Sequence, residues 1–245
     1  MKKNHLAFAI ISAFLLPTSL LAQSVSGADS WAGFHVGATL GGAWGNANLR
    51  YTNANYFNTL GPTVLGNTMF SGRYRSAIAG ASLGYNIPIK KFILGLDASA
   101  ASSNLTRKQR NAYFPGIDYQ RININFLSNI TLDLGLPCKK ALFYIGGGFA
   151  GANMKMTQTT SVENIRASSS AWLNGWVMKT GINYKLSPHL YTGVAYSFNR
   201  LTLSTHSISC ANCGSGEGYG TPKVHGHANV QTVSVNLSYL FGKNP

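Results

Sequence analysis

The residues of this chain that could bind a metal lie in one segment near the C-terminus. His206, Cys210, Cys213, His225 and His227 are of types that ligate zinc or copper, and the Cys-x-x-Cys spacing suits a tetrahedral site. The segment is also rich in Gly and Ser, and in an oxidising compartment Cys210 and Cys213 would form a tight disulfide that staples it. We expect the disulfide rather than the metal, and we predict no metal site.

The same segment contains the residue types of a hydrolytic site. His206 is followed by Ser207 and Ser209, and Glu217 is the nearest acid in sequence. A serine nucleophile needs a base within hydrogen-bond reach and a third group that orients this base. The spacing matches no hydrolase motif, and the sequence has no Walker loop and no dinucleotide fingerprint. We therefore predict no enzymatic activity and no cofactor.

Basic residues greatly outnumber acidic ones. The chain has 20 Lys and Arg against 6 Asp and Glu, which gives a net charge of +14. Arg and Lys make charge-assisted hydrogen bonds to phosphate, but here they do not cluster with aromatic residues on one element, so we predict no nucleic-acid partner. The alternative to a phosphate-binding surface is an ordinary solvated charged rim. The candidate phosphate-facing residues are Arg73, Arg107, Lys108, Arg110 and Arg200.

The N-terminus has the pattern of a secretory signal peptide. Two lysines precede an apolar stretch over residues 6–16, and Ala22 and Ala28 each end a candidate cleavage site. The apolar stretch stops at Pro17, short of the roughly 20 residues that a transmembrane helix needs. No later segment comes close to that length. We predict a signal peptide over residues 1–22.

Apolar and polar residues alternate with a period of two in eight stretches of the remaining chain. This period is that of a β-strand with one apolar and one polar face. Charged residues make up only 11% of the sequence, against about 25% in soluble proteins, which favours apolar faces in contact with lipid. The predicted strands are Trp31–Gly45, Ser76–Ile87, Phe92–Ser102, Arg121–Leu136, Leu142–Asn153, Trp172–Leu186, Leu190–Leu203 and Val230–Phe241.

The connections between these strands alternate in length. Three are short turns, each with one proline, and four are long polar segments near residues 46–74, 103–120, 154–171 and 204–229. A soluble β-sandwich would not explain this alternation, whereas outer-membrane barrels have short periplasmic turns and longer extracellular loops. Open sheet edges are not tolerated in hydrocarbon, so the last strand must pair with the first.

We predict an all-β fold: a closed antiparallel eight-stranded transmembrane β-barrel with up-and-down topology, short periplasmic turns and four longer extracellular loops. A short periplasmic segment over residues 23–30 would precede the barrel domain over residues 31–245. The polar faces would then point into a lumen just wide enough to be filled by side chains. A network of His35, Asp97, Arg121, Asp133 and Lys179 would fill it, and the alternative is a narrow path for ions or small solutes.

Five segments resemble successive strands of the small eight-stranded outer-membrane proteins, the opacity-protein-like group related to the OmpA membrane domain. The resemblance covers essentially the whole chain after the signal peptide. Two departures from the family are the Gly-Lys-Asn-Pro that follows Phe241, where the family usually ends on the aromatic residue, and the absence of a peptidoglycan-binding domain after the barrel. The segments are Trp31–Ala38, Leu83–Asn86, Phe92–Asp97, Leu142–Ala150 and Gly175–Leu186.

This resemblance implies a bacterial outer-membrane location and a structural or surface-interaction role in envelope integrity. The barrel-assembly machinery would read the last strand through Val235, Leu237, Tyr239 and Phe241. The other expected partners are outer-membrane lipid and lipopolysaccharide, with host surface molecules as a further candidate. The alternative function is a narrow porin-like channel, and a lipid A-modifying barrel enzyme is the least favoured.

Overall fold

A computed structural model describes residues 26–53, 55–56, 59–60, 64–111, 116, 118–160, 166–209 and 221–241. The predicted signal peptide, Cys210, Cys213 and Glu217 lie outside these residues. Within the described ranges, no helix is long and apolar enough to cross a membrane.

The described chain forms a barrel of eight long strands. Each long strand pairs with the long strands before and after it in the chain, the last pairs with the first, and every neighbouring pair of this closed sheet is antiparallel. The predicted fold class is thereby confirmed. The elements are α1 (Ser26–Asp29), β1 (Gly33–Tyr51), β2 (Asn55–Tyr56), β3 (Thr59–Leu60), β4 (Thr68–Ile89), β5 (Phe92–Arg110), β6 (Asp118–Cys138), β7 (Ala141–Thr160), β8 (Arg166–Lys185), β9 (Leu190–Ser207) and β10 (Lys223–Phe241).

The first and last strands close the barrel in the predicted way. Phe34 pairs with Phe241, Val36 with Tyr239 and Leu40 with Val235 along an unbroken ladder. The rings of Phe34 and Phe241 lie 5.8 Å apart on the outer surface. Each of these pairs puts two apolar side chains on the lipid side, so the same pattern that suits the bilayer also fixes the register of the seam.

A belt of exposed apolar side chains surrounds the periplasmic half of the barrel. On β1 it extends from Phe34 to Trp44, which is about the 9–11 residues that a tilted strand needs to cross a bilayer. Aromatic side chains border the belt on both sides, as in outer-membrane barrels. The lower border includes Tyr85, Phe92, Phe143, Tyr184 and Tyr239, and the upper border includes Trp44, Phe149, Trp172 and Trp176.

Above the belt the two faces of the sheet exchange polarity. On β1, Asn46 and Arg50 point outward, whereas Ala47, Leu49 and Tyr51 point inward and are at most 1% exposed. Inward apolar side chains of all eight strands form one buried cluster in this upper half. The strands therefore continue well into the segments predicted as long loops, where water replaces lipid outside the barrel and the interior becomes the apolar side.

In the upper part of β6, the side chains lie on the opposite side of the sheet from the one that the alternation predicts. The ladder with β7 shifts between Ile124 and Phe126, which leaves Asn125 as the extra residue of a bulge. A bulge reverses the side of the sheet on which the following side chains lie. The alternation along Arg121–Leu136 predicts that Ile122 and Ile124 share the lipid-facing side with Ile130 and Leu132, but they are completely buried inside the barrel.

The periplasmic end of the barrel is closed by the N-terminal segment and tight turns. Trp31 is fully buried and packs against Tyr191, and Lys185 Nζ lies 5.0 Å from the centre of the Trp31 ring and donates a hydrogen bond to the carbonyl of Ser30. Lysine pairs at 90–91 and 139–140 form two of the turns. Pro88 and Pro137, predicted in the connections, are the penultimate residues of their strands.

Candidate functional site

A cluster of four ionisable side chains occupies the lumen at the level of the apolar belt. His35 Nε2 lies 3.0 Å from Asp97 Oδ2, and Lys179 Nζ lies 2.7 Å from Asp133 Oδ2 and 3.6 Å from Asp97 Oδ1. No side chain of the cluster is more than 18% exposed. The structure thus brings together four of the five residues predicted for the lumen network, from β1, β5, β6 and β8.

Two glycines, neither of them among the predicted site residues, allow these side chains to meet. Gly146 of β7 is the cross-strand neighbour of both Asp133 and Lys179, and a Cβ at position 146 would lie 1.9 Å from Asp133 Oδ1. Gly84 of β4 lies in the same way between His35 and Asp97. The missing side chains provide the space in which each ion pair reaches across an intervening strand.

This cluster neutralises charge inside the membrane-spanning part of the barrel. An isolated ionised side chain is very costly to bury, and a partner at hydrogen-bond distance removes most of that cost. The single ammonium of Lys179 contacts both carboxylates, and His35 contacts the second side of Asp97. The arrangement links four strands and leaves a polar lining in the middle of the lumen.

A cavity of about 150 Å³ lies around and above this cluster. Its lining is mainly small and polar, with Thr39, Ser99, Asn129, Asn199 and Ser234 among the residues that face it. A space of this size holds on the order of ten waters. Apolar layers lie on both sides of the cavity: Trp31 with Ile93, Leu142 and Leu240 toward the periplasm, and the large buried cluster toward the outside.

Arg121, the fifth residue predicted for the network, is not in the lumen. Because of the β6 bulge its side chain is exposed on the outer surface, directly opposite Lys108 of β5. Arg75 of β4 is also exposed and pairs with Trp44 at the upper aromatic border. The like charges of Lys108 and Arg121 lie directly opposite each other, which destabilises a sheet unless an anion lies between them.

The predicted phosphate-facing residues are all exposed in the upper half of the barrel. Arg200 is opposite Trp176, and Arg73 is two residues above Arg75 on the same face. Lys108 lies 4.1 Å from the centre of the Tyr119 ring, and Arg110 is opposite Tyr119 on the outer surface. Arg107 differs from the other four because its cross-strand partner is the buried Ile122, which places it on the inner face.

The histidines of the weighed metal set do not converge. His206 pairs with the buried Val224 and makes a 2.7 Å hydrogen bond to Ser169 Oγ on the inner side. His225 and His227 follow Val224 at one and three positions along β10, which places them on the outer face. No group of three His, Cys, Asp or Glu residues that could hold a metal ion occurs in the part of the chain that the structure describes. Cys210 and Cys213 lie outside that part, so the predicted disulfide stays a prediction.

The four residues of the predicted assembly signal, Val235, Leu237, Tyr239 and Phe241, all point toward lipid from β10, and each is more than two-fifths exposed. Tyr239 and Phe241 contact each other at 4.7 Å between ring centres. These side chains are therefore accessible along the outside of the strand that closes the barrel.

No protein-family model and no curated protein matches this sequence. Solved structures of similar fold include OprG from Pseudomonas aeruginosa, with 13% identity and a TM-score of 0.48 over 90% of this chain and 100% of that one. The outer membrane protease OmpT from Escherichia coli has 11% identity and a TM-score of 0.43 over 91% of this chain and 100% of that one.

A third is Ail, the attachment invasion locus protein of Yersinia pestis, solved in complex with the heparin analogue sucrose octasulfate. It has 10% identity and a TM-score of 0.38 over 84% of this chain and 99% of that one. The names of OmpT and Ail indicate different functions, and neither of these functions is assigned to this chain. The similarity concerns the barrel, and this chain has the eight-stranded transmembrane barrel fold that its strand sequences predicted.

Proposed function

We propose that this protein is an integral outer-membrane barrel with a structural role, whose basic outer surface binds the phosphates of lipopolysaccharide. The observation that carries the proposal is the position of the exposed basic side chains at the upper aromatic border and directly above it. Arg75 is opposite Trp44, and Arg200 is opposite Trp176. This is the height at which the headgroup phosphates of the outer leaflet would meet a barrel whose belt fills the hydrocarbon.

Charge on the outer surface supports the same partner. The four acidic residues that the structure describes are Asp29 at the periplasmic end and Asp97, Asp118 and Asp133 inside the barrel. None of them lies on the outer face of the upper half, so within the described residues the basic side chains there have no carboxylate of their own sheet. An external anion then satisfies them, and a phosphate between Lys108 and Arg121 would remove the repulsion of that pair.

The test is the binding of purified lipopolysaccharide to the detergent-refolded protein, followed through the fluorescence of the upper tryptophans. We expect the triple variant Arg73→Gln, Arg75→Gln, Arg200→Gln to lose about a hundredfold in affinity, since each basic residue near an anionic surface contributes about 1 kcal/mol. Rising salt would weaken binding by the wild type.

The matched control is Lys90→Gln, Lys91→Gln, Lys139→Gln, which removes the same charge from the periplasmic turns. Equal loss of affinity in both triple variants would show a response to net charge alone and contradict a built site. Refolding of each variant is checked by heat-modifiable migration in a detergent gel. Contacts with host molecules through the outer ends of the barrel and reading of β10 by the assembly machinery are further parts of the proposal.

A narrow channel is the second candidate function, and the polar cavity around Asp97 and Lys179 is the observation in its favour. Ions would also have to pass the buried apolar cluster above the cavity, which includes Leu49, Phe70 and Met154. We therefore expect no reproducible conductance steps in planar bilayers. Steps that change in Asp97→Ala or Lys179→Ala would instead establish the channel. We also propose that the barrel has no enzymatic activity; unchanged mass of lipopolysaccharide after incubation tests this.

A further inference from the structure

A buried polar cluster lies at the extracellular end of the barrel, above the membrane-spanning part. Tyr51 of β1, Gln120 of β6 and Gln158 of β7 are each about 1% exposed. The Tyr51 hydroxyl oxygen accepts hydrogen bonds from Gln120 Nε2 at 3.1 Å and from Gln158 Nε2 at 2.6 Å. Burial raises the pKa of Tyr51 above its ordinary value, so the phenol stays neutral.

Both amides are oriented with Nε2 toward the Tyr51 hydroxyl. With each Nε2 directed at Tyr51, the carbonyl oxygens Gln120 Oε1 and Gln158 Oε1 point away from it, and both are buried without a hydrogen-bond partner. A buried acceptor without a partner costs about 1–3 kcal/mol. Two such acceptors side by side, on residues that are direct cross-strand neighbours, indicate that a ligand belongs between them.

The chemistry around these oxygens narrows the class of ligand. Asp118 is the next inward residue along β6, is 4% exposed and interacts electrostatically with Tyr51. Of the basic side chains at the adjoining strand positions, Arg110 and Arg121 lie on the outer face of the sheet, and Arg107, on the inner face of β5, is exposed and not buried with the two amides. The inner face therefore presents two amide oxygens and a carboxylate; Met156, the next inward residue along β7, adds only a thioether, which is a poor ligand for hard cations, and no histidine occupies the neighbouring described positions of β6 and β7. Oxygen-only donor sets suit hard cations such as Ca²⁺.

We propose that Gln120, Gln158 and Asp118 form a binding site for a divalent cation of the Ca²⁺ class at the extracellular end of the barrel. The amide oxygens and the carboxylate supply three or more ligands, and water completes the coordination. With one carboxylate, the affinity belongs to the range of extracellular calcium modules, with a Kd of about 10⁻⁴–10⁻³ M. A bound cation links β6 and β7 beside Tyr51 of β1, and it stabilises the outer end of the barrel. The site is independent of lipopolysaccharide binding.

The cation is tested with Tb³⁺, which replaces Ca²⁺ and emits when a neighbouring tyrosine is excited. The experiment uses full-length protein refolded in detergent without lipopolysaccharide, so that lipid phosphates contribute no sites. We expect saturable Tb³⁺ emission that Ca²⁺ displaces and that millimolar K⁺ does not. Gln120→Leu with Gln158→Leu would reduce it at least fivefold, whereas Gln231→Leu, which removes an amide bonded to Tyr196, would leave it unchanged.

A charge-introducing variant separates a cation site from a merely structural cluster, even if the leucine variants refold poorly. Gln158→Glu places a second carboxylate near Asp118. With a cation between them, the affinity rises about tenfold and Ca²⁺ raises the melting temperature more than in the wild type. Without a cation, the variant is destabilised equally with and without Ca²⁺. That outcome, or emission unchanged by the Gln120/Gln158 substitutions, would overturn the proposal.

Discussion

Single glycines decide which polar side chains of the lumen can meet. The alternation along each strand predicted that His35, Asp97, Asp133 and Lys179 point inward, and the structure places them there. A network of these residues was predicted, but the contact between Lys179 and Asp133 was not, because these two residues belong to strands that are not neighbours. They reach each other only across Gly146, and this relation depends on the register of three strands.

The substitution Gly146→Ala tests this role. Its Cβ would overlap Asp133 Oδ1 and approach the carbonyl oxygen of Leu132 to 2.8 Å, so we expect a loss of about 1–3 kcal/mol in the free energy of unfolding. The measurement is urea unfolding of the barrel in lipid vesicles. Gly42→Ala is the matched control, because a Cβ there meets no atom within 4 Å. Equal stability of the two variants would contradict the role given to Gly146.

At the scale of strands, the sequence predicted the membrane-spanning halves well and the upper halves poorly. On β1 the apolar residues change from even to odd positions above Trp44, because the apolar side of the sheet changes from lipid to interior. On β6 the apolar residues keep even positions and the bulge at Asn125 changes the side instead. The apolar pattern thus changes along β1 and continues along β6, yet both upper halves direct their apolar side chains inward. Only the height of the bilayer and the position of the bulge explain this, and neither can be read from the sequence.

The β4–β5 ladder provides a prediction at this scale. It ends at Ile78 opposite Ser103, although both strands continue, and no ladder pair joins residues 68–77 to residues 104–110, all of which are described. The amide of Asn104 is directed at Ser76 of β4, so the amides of Thr106 and Lys108 have the same direction. We expect the amides of Thr106 and Lys108, which face the side of β5 without a ladder, to exchange hydrogen with solvent much faster than the amides of Leu105 and Arg107.

Amide exchange measured by NMR on the detergent-refolded protein gives the comparison residue by residue. Alternating protection along residues 104–108 is the expected result, since every second amide is bonded to β6. The lower part of β5, which is paired on both sides, serves as the internal control and should be protected throughout. Uniform protection over the whole strand would show that the ladder continues to the top.

At the scale of the molecule, the interior is layered along the barrel axis and the layers explain what the protein can do. Apolar packing around Trp31 closes the periplasmic end, the ion cluster and its cavity lie at the height of the bilayer, and apolar side chains fill the outer half. The outside is layered in the opposite sense, apolar at the bilayer and basic above it. A filled lumen and a basic collar favour a role on the outside of the barrel over transport through it.

The four tryptophans of the chain report this arrangement directly. Trp44, Trp172 and Trp176 are each at least 40% exposed at the upper border of the belt, whereas Trp31 is fully buried inside the periplasmic end. In vesicles, lipids brominated high on the acyl chain should quench the three outer tryptophans strongly, and lipids brominated near the chain end should quench them less. A variant with Trp44, Trp172 and Trp176 replaced by Phe keeps only Trp31 and should be quenched weakly by either lipid. If Trp31 were quenched as strongly as the others, the N-terminal segment could not be packed inside the barrel; if the outer three responded most to the deep bromines, the belt would be displaced in the bilayer and the basic collar would not lie at the headgroups.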